Sequence, residues 1–134
     1  MHANDIAFGI ELETTMPANA PTPIGGYHNG LPVAWLPAGW KAERDSSIRT
    51  LAPGRKGCEF VSPVLRGYEG LQNVMTAVDA IAARGGRVNH STGIHVTVTF
   101  NGDAANKTAG RNGSKTTETR TPPSDAANQT ATTC

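Results

Sequence analysis

Long hydrophobic runs, cysteine clusters and an excess of one charge are all missing from this chain. No apolar stretch approaches the roughly 20 residues that a membrane-crossing helix needs. The N-terminus, Met1-His2-Ala3-Asn4-Asp5, lacks the basic and apolar segments of an export signal. A cytoplasmic protein with no membrane partner is the expectation. Lys and Arg total 12 against 11 Asp and Glu, so electrostatics give no reason to expect a nucleic-acid partner. The two cysteines stand at Cys58, in a strand-like segment, and at Cys134, the last residue. A disulfide between them would tie a polar end to a sheet, and reduced thiols are the simpler reading. The largest absence is local: residues 101–134 contain no Val, Ile, Leu, Met, Phe, Trp or Tyr. At 134 residues there is room for one domain, and its core must come from the first 100 positions. Residues 104–134 are expected to be a disordered polar tail. They cannot bury enough apolar surface to offset the roughly 1–2 kcal/mol per residue lost on ordering the backbone.

What is present reads as strands and one helix. Residues 5–15 (D-I-A-F-G-I-E-L-E-T-T) place Ile6, Phe8, Ile10 and Leu12 on one face and Ala7, Gly9, Glu11 and Glu13 on the other. Residues 16–39 hold five prolines and four glycines and read as a long loop, either a lid or a flexible insert. Residues 40–45 (W-K-A-E-R-D) read as a short strand entering an Asp45-Ser46-Ser47 turn, with residues 48–51 as a second strand or a continuation. Gly54-Arg55-Lys56-Gly57 lacks the spacing of a phosphate-binding loop and reads as a hairpin turn, although Arg55 and Lys56 remain able to meet an anionic substrate. Residues 58–62 alternate Cys58, Phe60 and Ser62 against Glu59 and Val61, and Pro63 ends that strand. Over residues 68–84, Leu71, Val74, Met75, Val78, Ile81 and Ala82 recur as an amphipathic helical stripe, stopped by Gly85-Gly86. Residues 93–100 alternate Ile94, Val96, Val98 and Phe100 inward with His95, Thr97 and Thr99 outward. His28 and His90 read as surface histidines, and Trp40 as a packing residue. The pattern predicts an α+β fold, a mostly antiparallel sheet with a helix packed on one face.

The polar faces carry Glu11, Glu13, Glu59 and His95. Glu11 and Glu13, two residues apart, lie roughly 6.5–7 Å from each other along a strand, so they could bracket one ion or take two. Oxygen donors with one imidazole suit Mg²⁺ or Mn²⁺. The plain alternative is a water-facing sheet surface, which is polar in any half-buried sheet. Against it, Glu is depleted in strands and like charges at close range repel.

Four blocks then resemble a known family in order and spacing. F-G-I-E-L-E (Phe8 to Glu13), Trp40 followed by D-S-S-I (Asp45 to Ile48), G-C-E-F-V-S-P (Gly57 to Pro63), and S-T-G-I-H-V (Ser91 to Val96) are similar to the N-terminal part of the amidoligases. These are relatives of glutamine synthetase and glutamate-cysteine ligase in the carboxylate-amine ligase superfamily. The resemblance covers residues 6–100. It implies an incomplete ligase-type catalytic fold over residues 1–103, with ATP and Mg²⁺ or Mn²⁺ as cofactors. It further implies a small-molecule or peptide carboxylate and an amine as substrates, joined through an acyl phosphate. It assigns Glu11, Glu13, Glu59 and His95 as metal and cofactor ligands, and Asp45, Glu59 and His95 as catalytic residues. Asp45 would add a ligand or position substrate. Thr97 departs from the family, which commonly has a second histidine there. Family members also continue past the last strand with further elements, where this chain has its polar tail. Two other readings stand beside the ligase: a non-catalytic remnant that assembles with a complementing chain or as an oligomer, and a metal-dependent hydrolase. On the ligase reading the chain is the N-terminal part of a longer protein, truncated or frameshifted after Phe100. The alternative frames of the coding DNA are then expected to continue the apolar pattern, and sequencing that finds none there removes the frameshift reading.

Overall fold

The structure, a computed structural model, describes residues 2, 6–100 and 116–118. Its elements are β1 (Ile6–Pro17), β2 (Leu31–Pro32), β3 (Lys41–Glu43), β4 (Arg55–Val61), β5 (Leu65–Arg66), α1 (Gly67–Ala83), β6 (Ile94–Phe100) and β7 (Thr116–Glu118). They form an α+β fold with one open sheet in the order β2-β3-β4-β1-β6-β7, and β5 pairs with the start of β1. All these pairings are antiparallel. The central strand is β1, flanked by β4 and β6. It is the longest strand because the alternation that buries Phe8, Ile10 and Leu12 continues to a fully buried Met16.

The core lies on one face of the sheet. Phe8, Ile10, Leu12 and Met16 of β1 pack with Ala42 of β3, Cys58 and Phe60 of β4, and Ala77 and Ile81 of α1. Trp40, 1% exposed, sits at the entry to β3 and donates its Nε1–H to Asn73 Oδ1 of the helix at 2.7 Å. Burial of Trp40 as a packing residue is as expected. Cys58 is a buried free thiol whose pKa burial pushes up to about 12, which makes it an apolar filler; Cys134 lies outside the described residues.

Several expectations are corrected. The loop of 16–39 loses Met16 and Pro17 to β1 and supplies β2, while its Val33 and Leu36 enter the core and Trp35 meets Phe60 edge-on at 5.8 Å. It is neither lid nor flexible insert at those positions, because burying Val33 and Leu36, with Trp35 half-buried against them, fixes it. Arg55 and Lys56 are not turn residues. Gly54, at φ 75°, makes the turn, and both cations stand in β4 because its pairing with β1 extends to Pro17. Residues 48–51 form no strand; Ile48 is buried over β4 instead. The helix forms and stops where expected, with Gly85 at φ 83° and the Gly86 amide returning to the Ile81 carbonyl at 2.9 Å. Its buried face is nevertheless rotated from the predicted stripe. Gly70 lets α1 approach Phe8 and Leu65 so closely that a Cβ there would come within 3.0 Å of both. Gly70, Ala77 and Ile81 therefore face the sheet, whereas Leu71 (54%) and Met75 (62%) face outward. The helix sits over β5 and β1, so Val96 on β6, expected inward, is 42% exposed. Within the expected disordered tail, Thr116–Glu118 pairs with β6 as β7, since a short segment can satisfy an open strand edge through backbone alone; the rest of 104–134 lies outside the described residues. Among the described residues no helix is long and apolar enough to cross a membrane.

Two substitutions separate the real core face from the predicted one. Phe60→Ala is expected to destabilise the fold by about 3–5 kcal/mol, and Leu71→Ser to change it by less than about 0.5 kcal/mol. Urea unfolding followed by circular dichroism measures both.

Candidate metal centre

The face opposite the core gathers the acidic residues because three strands hold them in register. Glu13 of β1 is directly opposite Glu59 of β4, and Glu59 is directly opposite Glu43 of β3. One residue pair further along the same face, Glu11 is opposite His95 of β6 on one side and Val61 of β4 on the other. The structure thus brings together Glu11, Glu13, Glu59 and His95. It also adds Glu43, a buried carboxylate that the sequence reading passed over. The signal for it was there: in W-K-A-E-R-D, burying Trp40 and Ala42 puts Lys41, Glu43 and Asp45 on the polar side.

Asp45 joins from a turn. Its Oδ1 accepts the Ser47 amide at 2.7 Å, closing the turn, and Ile48 then tucks against Gly57 of β4, where a Cβ would lie 3.0 Å from Ile48 Cβ. The next residue, Arg49, is tied to the loop before β6. Its amide donates to Ser91 Oγ at 2.8 Å, and Asn89 Nδ2 donates to its carbonyl at 2.8 Å. Asn89 and Thr92 hold that second loop, with the Thr92 hydroxyl donating to the Asn89 carbonyl at 2.8 Å. The S-T-G segment that leads into His95 and the D-S-S-I turn that carries Asp45 therefore brace each other.

Two donor sets emerge, and they share one residue. Ligand atoms of Glu11, Glu59 and His95 lie within 4.8 Å of one another, and so do those of Glu13, Asp45 and Glu59. His95 spans both sets, with Nδ1 3.3 Å from Glu11 Oε2 and Nε2 3.8 Å from Glu13 Oε1. His28, read from sequence as a surface residue, has Nδ1 3.8 Å from Glu43 Oε1. The bridge of Gly25 to Glu43 folds its loop back along the edge of β3. Among the described residues no lysine or arginine nitrogen lies within 4.0 Å of any carboxylate in this group.

Electrostatics follow from that crowding. Burial, then the Glu11 charge, a hydrogen bond shared with Glu43 and the charges of Asp45 and Glu43 push Glu59 up to about 8. Burial and the Asp45 charge raise Glu13 too, although His95 and the Gly93 amide pull against them. For Asp45, burial acts upward but is outweighed by the Ser47 hydroxyl and amide, the hydrogen bond from Glu13 and His95, and its pKa is lowered. Without a cation, the crowding is relieved most at Glu59, which holds its proton up to about 8, while Glu13 is shifted in the same direction. The donor chemistry fits a hard divalent cation. It is rich in carboxylate oxygen with one imidazole, the donor types that Mg²⁺ and Mn²⁺ accept.

The family is now identifiable. The family model described as "Putative amidoligase enzyme" matches residues 29–112, more than half of the chain, and the chain belongs to that family. No curated protein and no solved structure matches it. Glu43, Asp45, Glu59 and His95 fall inside the matched residues, while Glu11 and Glu13 precede them and reach the same site through β1.

A carboxyl whose pKa is raised in the folded state binds its proton more tightly there, so stability is lost as pH rises from the unfolded value, about 4.5, through about 8 for Glu59. Metal-free protein is expected to melt at a lower temperature at pH 8 than at pH 5. Glu59→Gln, which mimics the protonated acid, should flatten that slope, and Mn²⁺ should raise the melting temperature more at pH 8 than at pH 5. A wild-type profile rising from pH 5 to pH 8 without metal would contradict this account.

Proposed function

We propose that this chain carries the metal-binding part of an ATP-dependent carboxylate-amine ligase that forms an amide through an acyl phosphate. The observation that supports it most is the pair of donor sets meeting at Glu59, on a sheet face in a chain of the amidoligase family. Two adjacent hard-ion sites suit phosphoryl transfer, where catalysis is mostly positioning and charge neutralisation. Glu11, Glu13, Glu59 and His95 would hold the Mg²⁺ or Mn²⁺ ions, with Asp45 and Glu43 completing the oxygen donors. Bound there, the ions would neutralise charge developing on the phosphoryl group passing from ATP to the substrate carboxylate.

The remaining work falls to this chain's own groups. Glu11 Oε2, 3.3 Å from His95 Nδ1, orients the ring. The turn closed by Ser47 holds Asp45 at the edge of the site, where it adds an oxygen or orients substrate. Thr97, opposite Gly9 in β1, leaves open space beside Glu11 and His95, where a Cβ on Gly9 would meet nothing within 4 Å.

The test is turnover of ATP with Mg²⁺ and a panel of carboxylates and amines, by wild type, Glu59→Gln and Glu11→Gln. The ligase reading expects amide product that falls by about 100-fold or more in Glu59→Gln, at or beyond the upper end of what losing a residue around a metal site costs. Phosphate release without amide would favour the hydrolase. Absence of both, with or without a complementing chain, would leave an assembly module.

A further inference from the structure

A second feature lies beside the metal centre. A cavity of about 630 Å³ opens between the segment around Thr22, the D-S-S-I turn and the start of β4, and its walls include Arg44, Asp45, Ile48, Arg55 and Lys56. That volume is in the range of small-molecule sites, roughly 300–1,000 Å³. Asp45 belongs both to this cavity and to the donor set with Glu13 and Glu59, so the two spaces adjoin.

The cations in its walls are held in place without being neutralised. Arg55 donates from Nε and Nη2 to the Thr15 hydroxyl, and from Nη2 also to the Thr15 carbonyl and to the Gly85 carbonyl at 2.7 Å. All of these acceptors are uncharged, and Nη1 has no partner among the described residues. Lys56 Nζ donates to the Ala20 carbonyl at 2.8 Å, again an uncharged acceptor. The Arg44 side chain makes no hydrogen bond or ion pair among the described residues. Burial and the neighbouring Arg87 charge depress the Arg55 pKa, a sign that positive charge is crowded here. A guanidinium locked by neutral acceptors has lost its rotamer freedom before any ligand arrives, and it keeps its charge for an anion.

We infer that this cavity is an anion subsite, in which Arg44, Arg55 and Lys56 receive a carboxylate or phosphate group of the substrate while its reacting end reaches the Asp45 side. The inference rests on the proposed function for its role, but not for its chemistry. Asp45 is the one acid in these walls and opposes an anion until a cation is bound at Glu13, Asp45 and Glu59. Divalent metal and anion should therefore strengthen each other's binding by the same factor.

The experiment is calorimetric titration of inorganic phosphate, and separately of succinate, into the full chain at constant ionic strength, with and without Mn²⁺. Arg44→Gln and Lys56→Met are each expected to weaken the anion about tenfold, the usual worth of one charge-assisted hydrogen bond. Mn²⁺ affinity in the absence of anion, read by electron paramagnetic resonance, should stay within about twofold in both variants. Tighter phosphate would assign the subsite to the nucleotide side, and tighter succinate to the acid substrate. No binding by wild type, or equal binding by wild type and Arg44→Gln, overturns the subsite. Loss of Mn²⁺ binding from wild type overturns the metal centre while leaving the anion result to stand by itself. Arg44 is exposed and packs against nothing in the core, so its variant remains informative if Lys56→Met fails to fold.

Discussion

Everything on the polar face depends on like charges being held opposite one another. Glu43, Glu59 and Glu13 form one row across β3, β4 and β1, at positions where side chains stand about 4.5–5.5 Å apart and equal charges repel. The row survives because its register is set on the other face. Trp40 and Ala42, Cys58 and Phe60, and Leu12 and Met16 interlock in the core, and slipping any strand by one residue would turn that set out to solvent. Core packing thereby overrides electrostatic preference, and the crowding raises the proton affinity of Glu59 and Glu13.

Around that row the chain arranges support and contrast. The D-S-S-I turn and the Asn89 to Thr92 loop are far apart in sequence, yet each supplies hydrogen bonds to the other, so Asp45 and His95 arrive at the row together. The glycines at 57 and 70 do comparable work on opposite faces. One lets Ile48 close the turn over β4, and the other lets the helix settle onto β1 and β5. Along β4 the charge changes sign, from Arg55 and Lys56 at its start to Glu59 near its end.

Much of this was visible in the residues. The alternation in F-G-I-E-L-E, in C-E-F-V-S and in I-H-V-T-V defines which side chains face the core, and so puts Glu11, Glu13, Glu59 and His95 on polar faces. Glu43 escaped because β3 has only three residues, too few for alternation to stand out from its surroundings. His28 escaped because its proximity to Glu43 is made by a loop folding back through Gly25, which has no sequence period. Arg55 and Lys56 resembled a turn because Pro53 and Gly54 precede them, and only the pairing with Met16 and Pro17 makes them strand residues. The rotated helix face reflects contact at Gly70, where a missing side chain decides the fit.

The sequence by itself determined the α+β class, the helix and its stop, the core-facing side of β1 and β4 and the acidic character of the strands, because period and residue type act locally. Which acids meet was decided by tertiary structure, since strand order and register are properties of pairing between distant segments. Only that pairing puts Glu59 between Glu13 and Glu43 and joins two donor sets at one carboxylate. The same pairing carries Glu11 and Glu13, which precede the family-matched residues, into the site built by the rest.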